Sequence, residues 1–318
     1  MMRLFSYALS PRGLAALVLV ALTCWFASHH VVHHHPDPED PSTVFGVLHG
    51  HVMPEPLVGD NHAENPKAML EVPLPGFLAG MDYRGEVPAG DGPKTALFNL
   101  QLFQITAVLL VFVLLSGVPG YLRSSKGDPV SRLFAGFCMW IRDEMVYPQM
   151  GRELGRKYLP YFLCVFFFIA FMNLMGLTPY SATPTASILV TAALAVTTFV
   201  AMIGCGMAAQ GPGNFVKNLV PHVPGWLWLP MLFVEVIGLL VKPFALMVRL
   251  FANISGGHMV VLSFLGLIFF MGSWVMAPVG AGLGIFVMII EAFVALVQAF
   301  IFTQLSIIFV NASVHPEH

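Results

Sequence analysis

The stretch LWLPMLFVEVIGLLVKPFALMVRLFANISGGHMVVLSFLGLIFF, residues Leu227–Phe270, decides the fold of this 318-residue chain. Its 44 residues contain no polar loop. As one helix they would extend about 66 Å, whereas the hydrocarbon core of a bilayer is about 30 Å thick. Two ordinary crossings would need a turn, for which Gly256-Gly257 is the best candidate. The alternative is one long helix, steeply tilted and bent near Pro243 or the glycine pair.

The next apolar run shows the same excess of length. Met276–Val310 has 35 residues, which would form a helix of about 52 Å. The predicted turn between the two runs is Met271–Ala277. Two overlong helices joined by a tight turn predict a hairpin that lies well off the membrane normal and presents one extended face to a partner within the bilayer.

The composition indicates an all-α polytopic membrane protein. Hydrophobic residues make up 57% of the chain and charged residues 10%, whereas soluble domains carry roughly 25% charged residues. Ten of the 17 acidic residues lie within Asp37–Asp91, and seven of the 15 basic residues lie within Arg123–Lys157. The positive-inside rule therefore places residues 117–158 and the C-terminus in the cytoplasm, and residues 28–97 outside a bacterial inner membrane. Val130–Val146 has the spacing of an amphipathic helix on the inner membrane surface.

The sequence divides into three segments. Residues 1–27 carry two arginines and an apolar run, which is typical of a signal peptide or an N-terminal anchor. Residues 28–97 are rich in His, Pro and acidic residues, which favours a solvated extramembrane segment, with metal binding by the histidines as the alternative. Residues 98–312 contain the hairpin and three earlier spans, at 98–116, 159–177 and 188–208. The chain is therefore expected to have five or six transmembrane helices.

Three charged residues in the first long run share one helix face. Glu235, Lys242 and Arg249 are spaced by seven residues, close to two turns, and Asn253 extends this face. An arginine in the bilayer interior costs on the order of 3 kcal/mol and keeps its charge. Arg249 therefore indicates a protein that moves charge. Lys242 and Glu235 could instead reach a membrane interface, and Glu235 could line a wet cavity.

A second polar group involves both long runs. Glu291 and Gln298 are seven residues apart and share a face, whereas His258 lies on the face opposite Arg249. Histidine changes its charge near neutral pH, so a His–Glu pair suits the relay of protons. The alternatives are a buried structural histidine, a helix–helix hydrogen bond by Gln298, and a structural ion pair between Arg249 and Glu291.

Four motifs carry a resemblance to a known family. RLFANISGGH (Arg249–His258), with Lys242-Pro243 before it, and EAFVALVQAFIFTQL (Glu291–Leu305) resemble subunit a of the F-type ATP synthase. FMNLMGLTP (Phe171–Pro179) is similar to the family's second-span signature, and TPTASILVTAALA (Thr183–Ala195) to its third. The resemblance covers roughly residues 98–312, in the expected order.

The resemblance implies a role for each polar position. Arg249 matches the essential arginine of the family, and His258 and Glu291 match the pair that lines the proton inlet, in the reverse order to that of some bacterial members. Gly176 stands where some relatives have Asp. The remaining matches are polar positions of the inlet and one acidic position of the outlet, namely Gln298, Asn253 and Asn173 for the inlet and Glu235 for the outlet.

The function implied by the resemblance is that of a proton-translocating subunit, with two half-channels that face a rotating ring of c subunits. The expected partners are the c-ring, the peripheral-stalk b subunits, the other ATP synthase subunits and lipid. No cofactor, metal or nucleic acid is expected, and the subunit itself is not expected to be an enzyme. A secondary proton-coupled transporter and a purely structural membrane subunit remain alternatives. An enzyme is disfavoured because the sequence has no GxSxG, HExxH or P-loop motif.

Overall fold

The structure is a computed structural model that describes residues 10–30, 57–58, 69–73, 94–96, 98–124, 127–178, 183–219, 225–271 and 276–315. The helices in chain order are α1 (Pro11–His30), α2 (Asn99–Leu115), α3 (Val118–Ser124), α4 (Pro129–Trp140), α5 (Tyr147–Met175), α6 (Ile188–Gln210), α7 (Pro212–Asn218), α8 (Gly225–Met271) and α9 (Met276–Val314). A π-helical segment (Ile141–Val146) joins α4 to α5, and a 3-10 turn (Pro184–Ala186) precedes α6. Two short antiparallel strands, β1 (Glu71–Pro73) and β2 (Lys94–Ala96), pair with Glu71 opposite Ala96.

Within the described ranges, six helices are long and apolar enough to cross a membrane. The prediction of an all-α polytopic membrane protein is therefore confirmed. One of these six helices is α1, the first in the chain, which lies in the segment that resembles a signal peptide or an anchor. The side of the membrane on which each loop lies stays a prediction, as does most of the account of residues 28–97, which falls outside the described residues.

The last two helices are as long as the hydrophobic runs indicate. Helix α8 has 47 residues and α9 has 39, which correspond to about 70 Å and 58 Å. The chain therefore forms one long helix, and not two short crossings with a turn at Gly256-Gly257. The predicted turn falls between the end of α8 and the start of α9, although residues 272–275 lie outside the described part. The tilt of the hairpin stays a prediction.

Helix α5 bends sharply near its start. Gly151 has φ +71° and ψ 177°, a backbone conformation that is strained for residues with a Cβ atom. The segment predicted as an amphipathic helix, Val130–Val146, is helical, since it consists of α4 and the π-helical segment. Its placement on the membrane surface stays a prediction.

The chain forms two compact units. Unit 1 comprises Met1–Leu114, Phe171–Pro184 and Gly257–Ala292, and unit 2 comprises Leu115–Ala170, Thr185–Gly256 and Phe293–His318. In unit 1, the fully buried side chains include Phe103, Ala107 and Met172. In unit 2, those of Phe162, Leu250 and Phe302 are fully buried. Each unit therefore has its own apolar core.

In unit 1, α1 contacts two neighbouring segments through polar side-chain atoms. Thr23 Oγ1 lies 2.9 Å from Thr106 Oγ1 of α2, and both residues are buried. Cys24 Sγ lies 3.6 Å from Thr178 Oγ1, just beyond the end of α5. Polar contacts of this kind hold membrane helices together, so α1 has a defined packing partner on each of two segments.

These contacts predict a disulfide that reports whether residues 1–27 stay in the assembled protein. Because the Cys24 and Thr178 side chains meet, we expect Thr178→Cys to form a disulfide with Cys24 under mild oxidation, visible as a mobility change on a non-reducing gel. Thr178→Cys combined with Cys24→Ser is the control and should not form it. A subunit cleaved after residue 27 lacks Cys24 and would show no disulfide, and its intact mass would be lower by the removed segment.

In unit 2, the C-terminal half of α9 is bound tightly to α6. Ser306 Oγ lies 3.3 Å from Thr198 Oγ1, and Ser313 Oγ donates to the carbonyl oxygen of Met202 at 2.7 Å. Gly206 leaves room for this approach, because a Cβ atom there would collide with Ser313. The small residue at position 206 therefore allows the end of α9 to lie against α6.

Candidate functional site

Unit 1 brings together the two ionisable residues predicted for the proton inlet. His258 Nε2 of α8 lies 3.5 Å from Glu291 Oε1 of α9, and Glu291 is buried. Gly257 makes the approach possible, because a Cβ atom at this position would lie 2.8 Å from the same carboxylate oxygen. The glycine pair that resembles a helix break in the sequence thus includes a site of close packing between α8 and α9.

A hydroxyl group that the sequence did not reveal completes this cluster. Thr183 Oγ1 lies 2.7 Å from His258 Nε2 and 3.3 Å from the carbonyl oxygen of Gly176. Thr183 directly precedes the 3-10 turn, and its side chain occupies the space beside residue 176, since a Cβ atom there would collide with its hydroxyl. Where some relatives carry Asp, this chain therefore has a glycine whose side-chain space is filled by a threonine.

The three amides predicted for the inlet fall into two places. In unit 2, Asn253 Nδ2 donates a hydrogen bond of 2.8 Å to Gln298 Oε1. Gln298 is 1% exposed, and its Nε2 atom has no hydrogen-bond partner among the described residues. In unit 1, Asn173 is buried on the last turns of α5, three residues before Gly176. The structure thus pairs two of the amides and places the third on the segment that carries the Gly176 carbonyl.

Arg249 lies on an exposed face of α8. Its side chain is exposed, and within the described residues its guanidinium forms neither a hydrogen bond nor an ion pair. The exposed residues four before, three after and seven after it are Ala245, Ala252 and Gly256, which lie on the same helix face. On this face the cation therefore has three small residues beside it, in addition to Asn253, and small residues allow another helix to approach closely.

Glu235 and Lys242 line one open cavity of about 520 Å³ in unit 2. These two residues therefore lie on one side of α8, as their spacing of seven residues predicts, whereas Arg249, the third residue predicted for this face, does not line the cavity. Lys242 Nζ lies 5.8 Å from the ring centre of Phe309 of α9, so its ammonium faces an aromatic ring within the protein. A cavity of this size with several polar groups has room for water molecules.

Other polar residues of this cavity were not singled out by the sequence. They come from α5, α6 and the end of α9, and include Gln149, Gln210, Asn311 and His315. Gln210 Nε2 donates to the carbonyl oxygen of Ser313 at 2.8 Å, which fixes the cavity wall. These residues are far apart in the sequence, so helical spacing within one segment could not have grouped them. A histidine near the C-terminus of an apolar helix was the only local signal.

A sequence model of the family described as ATP synthase A chain matches residues 101–311. The chain belongs to this family. The ATP synthase subunit a of Myxococcus xanthus is 45% identical over 180 residues, which cover 57% of this chain and 59% of that protein. The ATP synthase subunit a of Chloroherpeton thalassium is 36% identical over 224 residues, which cover 69% of this chain and 67% of that protein. The ATP synthase subunit a 2 of Prosthecochloris aestuarii is 40% identical over 217 residues, which cover 67% of both proteins.

Membership of the ATP synthase A chain family confirms the resemblance that the four motifs carry. Every site residue predicted from the sequence, from Asn173 to Gln298, lies within the matched region. The chain spans 59% to 67% of the length of these three relatives. The matched region starts at residue 101, so the family comparison leaves α1 and the strands outside it.

Proposed function

We propose that this chain is the membrane subunit through which protons cross a rotary F-type ATP synthase of a bacterial inner membrane. The observation that carries the proposal is the exposed arginine, Arg249, on an apolar 47-residue helix of an ATP synthase A chain family member. A permanent cation on such a helix is costly unless a partner or a function uses it. A rotating ring of c subunits with one carboxylate each would supply a partner of the right charge.

The surface around Arg249 suits a moving helical partner. Ala245, Ala252 and Gly256 are exposed on the same side of α8, so a passing c subunit could bring its backbone close and its carboxylate within reach of the guanidinium. A ring carboxylate facing lipid should be protonated, because an ionised one is expensive in hydrocarbon. Facing Arg249 it should be ionised. Lipid, the peripheral-stalk b subunits and the other synthase subunits complete the proposed partners.

The inlet half-channel is proposed to pass through His258 and Glu291. Their side chains are 3.5 Å apart, and either can accept or release a proton. Protons from the outside would pass along this pair and reload a ring carboxylate that has just left Arg249. Asn173, also in unit 1, is proposed to serve this pair as a hydrogen-bonding group. Asn253 and Gln298, which bond to each other in unit 2, are proposed as further polar groups for proton entry.

The outlet half-channel is proposed to be the cavity that Glu235 lines. Its polar walls and its volume of about 520 Å³ support a water-filled route to the cytoplasm. In the sequence of α8, Arg249 lies between Glu235 and His258. A fixed cation there would oppose the direct passage of protons from one half-channel to the other. Flow would then require rotation of the ring, and rotation would drive ATP synthesis in the catalytic subunits, while this subunit performs no bond chemistry.

The energy available to such a device is set by the membrane potential. Each proton that crosses gains about 2.3 kcal/mol per 100 mV, so several protons are needed for each ATP. Few protons can therefore be lost by direct passage between the half-channels. A barrier against this leak must keep its positive charge at every physiological pH.

The proposal is tested by ATP-driven acidification of inverted membrane vesicles that contain the complete synthase with this subunit. We expect acidification that an uncoupler abolishes and that does not depend on sodium. Acidification that requires sodium would indicate that the synthase transports sodium ions, and not protons. An assembled complex that hydrolyses ATP without any ion uptake would overturn the proposal and favour a structural membrane subunit.

The outlet route predicts a moderate effect for Glu235→Gln. Loss of the carboxylate removes one proton-accepting group from the cavity but leaves its other polar walls, so we expect proton pumping to fall by roughly tenfold. Glu153→Gln is the matched control, because Glu153 is exposed on α5 and does not line the cavity. Equal pumping rates for the two variants, with equal amounts of assembled complex, would remove Glu235 from the outlet.

A further inference from the structure

We infer that Thr183 is a positioning residue of the proton inlet, whose hydroxyl keeps the His258 ring hydrogen-bonded in both of its protonation states. The inference rests on the proposed function and deepens it. Thr183 is buried, with 6% of its surface exposed. Its Oγ1 atom lies 2.7 Å from His258 Nε2, which is a shorter distance than the 3.5 Å between Nε2 and Glu291 Oε1. The nearest hydrogen-bond partner of the inlet histidine is thus a hydroxyl, and not the carboxylate.

A hydroxyl in this position can serve either form of the ring. When Nε2 carries a proton, it donates to Thr183 Oγ1, and the threonine hydrogen points to the Gly176 carbonyl oxygen at 3.3 Å. When Nε2 has lost its proton, the threonine hydroxyl rotates and donates to Nε2 instead. The ring therefore stays in place while a proton arrives and leaves, because a hydroxyl is both a donor and an acceptor.

The same hydroxyl keeps the histidine and the glutamate from closing on each other. Charge-assisted hydrogen bonds between a cationic nitrogen and a carboxylate are usually about 2.7–2.9 Å long. At 3.5 Å, the His258–Glu291 pair is more open than this. A tighter pair would hold a proton more strongly and release it more slowly. The position of Thr183 therefore prevents the His258–Glu291 pair from holding its proton too strongly to pass it on.

The segments around His258 place few charged side chains where they would compete with the Thr183 hydroxyl for the ring. Glu291 of α9 is the ionisable side chain that faces His258 among the described residues of unit 1. The neighbouring segments 171–178 and 183–184 contain no Asp, Glu, Lys, Arg or His. The space that Thr183 fills exists because residue 176 is glycine. A larger residue at position 176 would displace the hydroxyl that contacts the ring.

The test compares four variants in the complete synthase, three at Thr183 and one control, and measures ATP synthesis as a function of the pH outside, at a fixed pH inside. Thr183→Val keeps the shape of the side chain and removes its hydroxyl, whereas Thr183→Ser keeps the hydroxyl. Thr191→Val is the matched control, since Thr191 is fully buried and its hydroxyl lies against carbonyl oxygens at the start of α6. Assembly is checked by the yield of intact complex.

We expect the valine variant to assemble, to synthesise ATP several-fold more slowly, and to shift its pH profile toward alkaline values, because a closer His258–Glu291 pair retains its proton. A shift of up to about one pH unit corresponds to one hydrogen bond of ordinary strength. Thr183→Ser should retain most of the rate and the wild-type profile, and the Thr191→Val control should match wild type. Thr183→Ala removes the hydroxyl without adding bulk and should show the same shift as valine.

Two results would overturn the inference. A wild-type pH profile and rate for both the valine and the alanine variants would show that the hydroxyl has no part in proton uptake. Equal defects in the serine and valine variants would assign the effect to packing. Failure of the proposed function is distinguishable from either, because the wild-type synthase would then show no ion-driven synthesis at all.

Discussion

Arg249→Ala is expected to abolish ATP-driven proton pumping while the synthase still assembles. Arg249 is exposed on α8 and, among the described residues, has no hydrogen bond or ion pair that its loss would break. The substitution should therefore cost little folding stability, which sets it apart from removal of a buried charge. Under the proposed function the functional cost should be complete, because a ring carboxylate would lose its cationic partner and the proposed barrier to a direct proton leak would disappear. Fluorescence quenching by a pH-sensitive dye in inverted vesicles measures both pumping and leak.

Two further variants separate charge from position. Arg249→Lys keeps a positive charge but loses the planar group with five donors, so we expect it to remain strongly defective in pumping and to leak less than the alanine variant. Arg156→Ala is the matched control, since Arg156 is an exposed arginine on α5, and it should pump normally. Normal pumping by an assembled Arg249→Ala complex would assign the arginine a structural role. It would favour the alternative functions, a purely structural membrane subunit or a secondary proton-coupled transporter.

Hydrophobic length and helical spacing predicted the elements of the membrane domain. An apolar run of 44 residues can satisfy its backbone within a bilayer only as helix, and it forms part of the 47-residue α8. Glu235 and Lys242, which are seven residues apart, line one cavity. Glu291 and Gln298, with the same spacing, are both buried on one face of α9. These properties depend on one helix at a time, so the sequence contains the information needed to predict them.

The contacts between different helices could not be predicted from the sequence in the same way. The contact between His258 and Glu291 depends on the register of α8 against α9, which is set by packing at Gly257 and not by any spacing within one helix. The contact of Thr183 with His258 joins residues 75 positions apart. For a related reason, the sequence left open whether Gly256-Gly257 is a turn or part of one long helix. A glycine can mark either a turn or a close approach, and the sequence alone does not say which.

Glu291→Gln should produce the second large loss. Gln has nearly the same shape as Glu, so the substituted side chain can remain beside Gly257, where a bulkier group would not fit. What it loses is the ability to take and release a proton next to His258. We expect ATP synthesis to fall by about a hundredfold, the lower range for loss of a proton-transferring group, with the amount of assembled complex and its ATP hydrolysis in detergent unchanged. Ala292→Ser, one residue away, is the control for local disturbance.

An exchange of the two inlet residues tests whether the pair acts as a unit. Because some bacterial members of the family carry the acid first and the histidine second, His258→Glu combined with Glu291→His should recover a measurable part of the synthesis that each single substitution removes. Recovery above both single variants shows coupling between the two positions, as expected for neighbours 3.5 Å apart. An undiminished rate in Glu291→Gln would remove the carboxylate from the route. Proton uptake would then have to proceed through His258 and water, since a glutamine at position 291 can hold a hydrogen bond but cannot take up and release the proton that a relay requires.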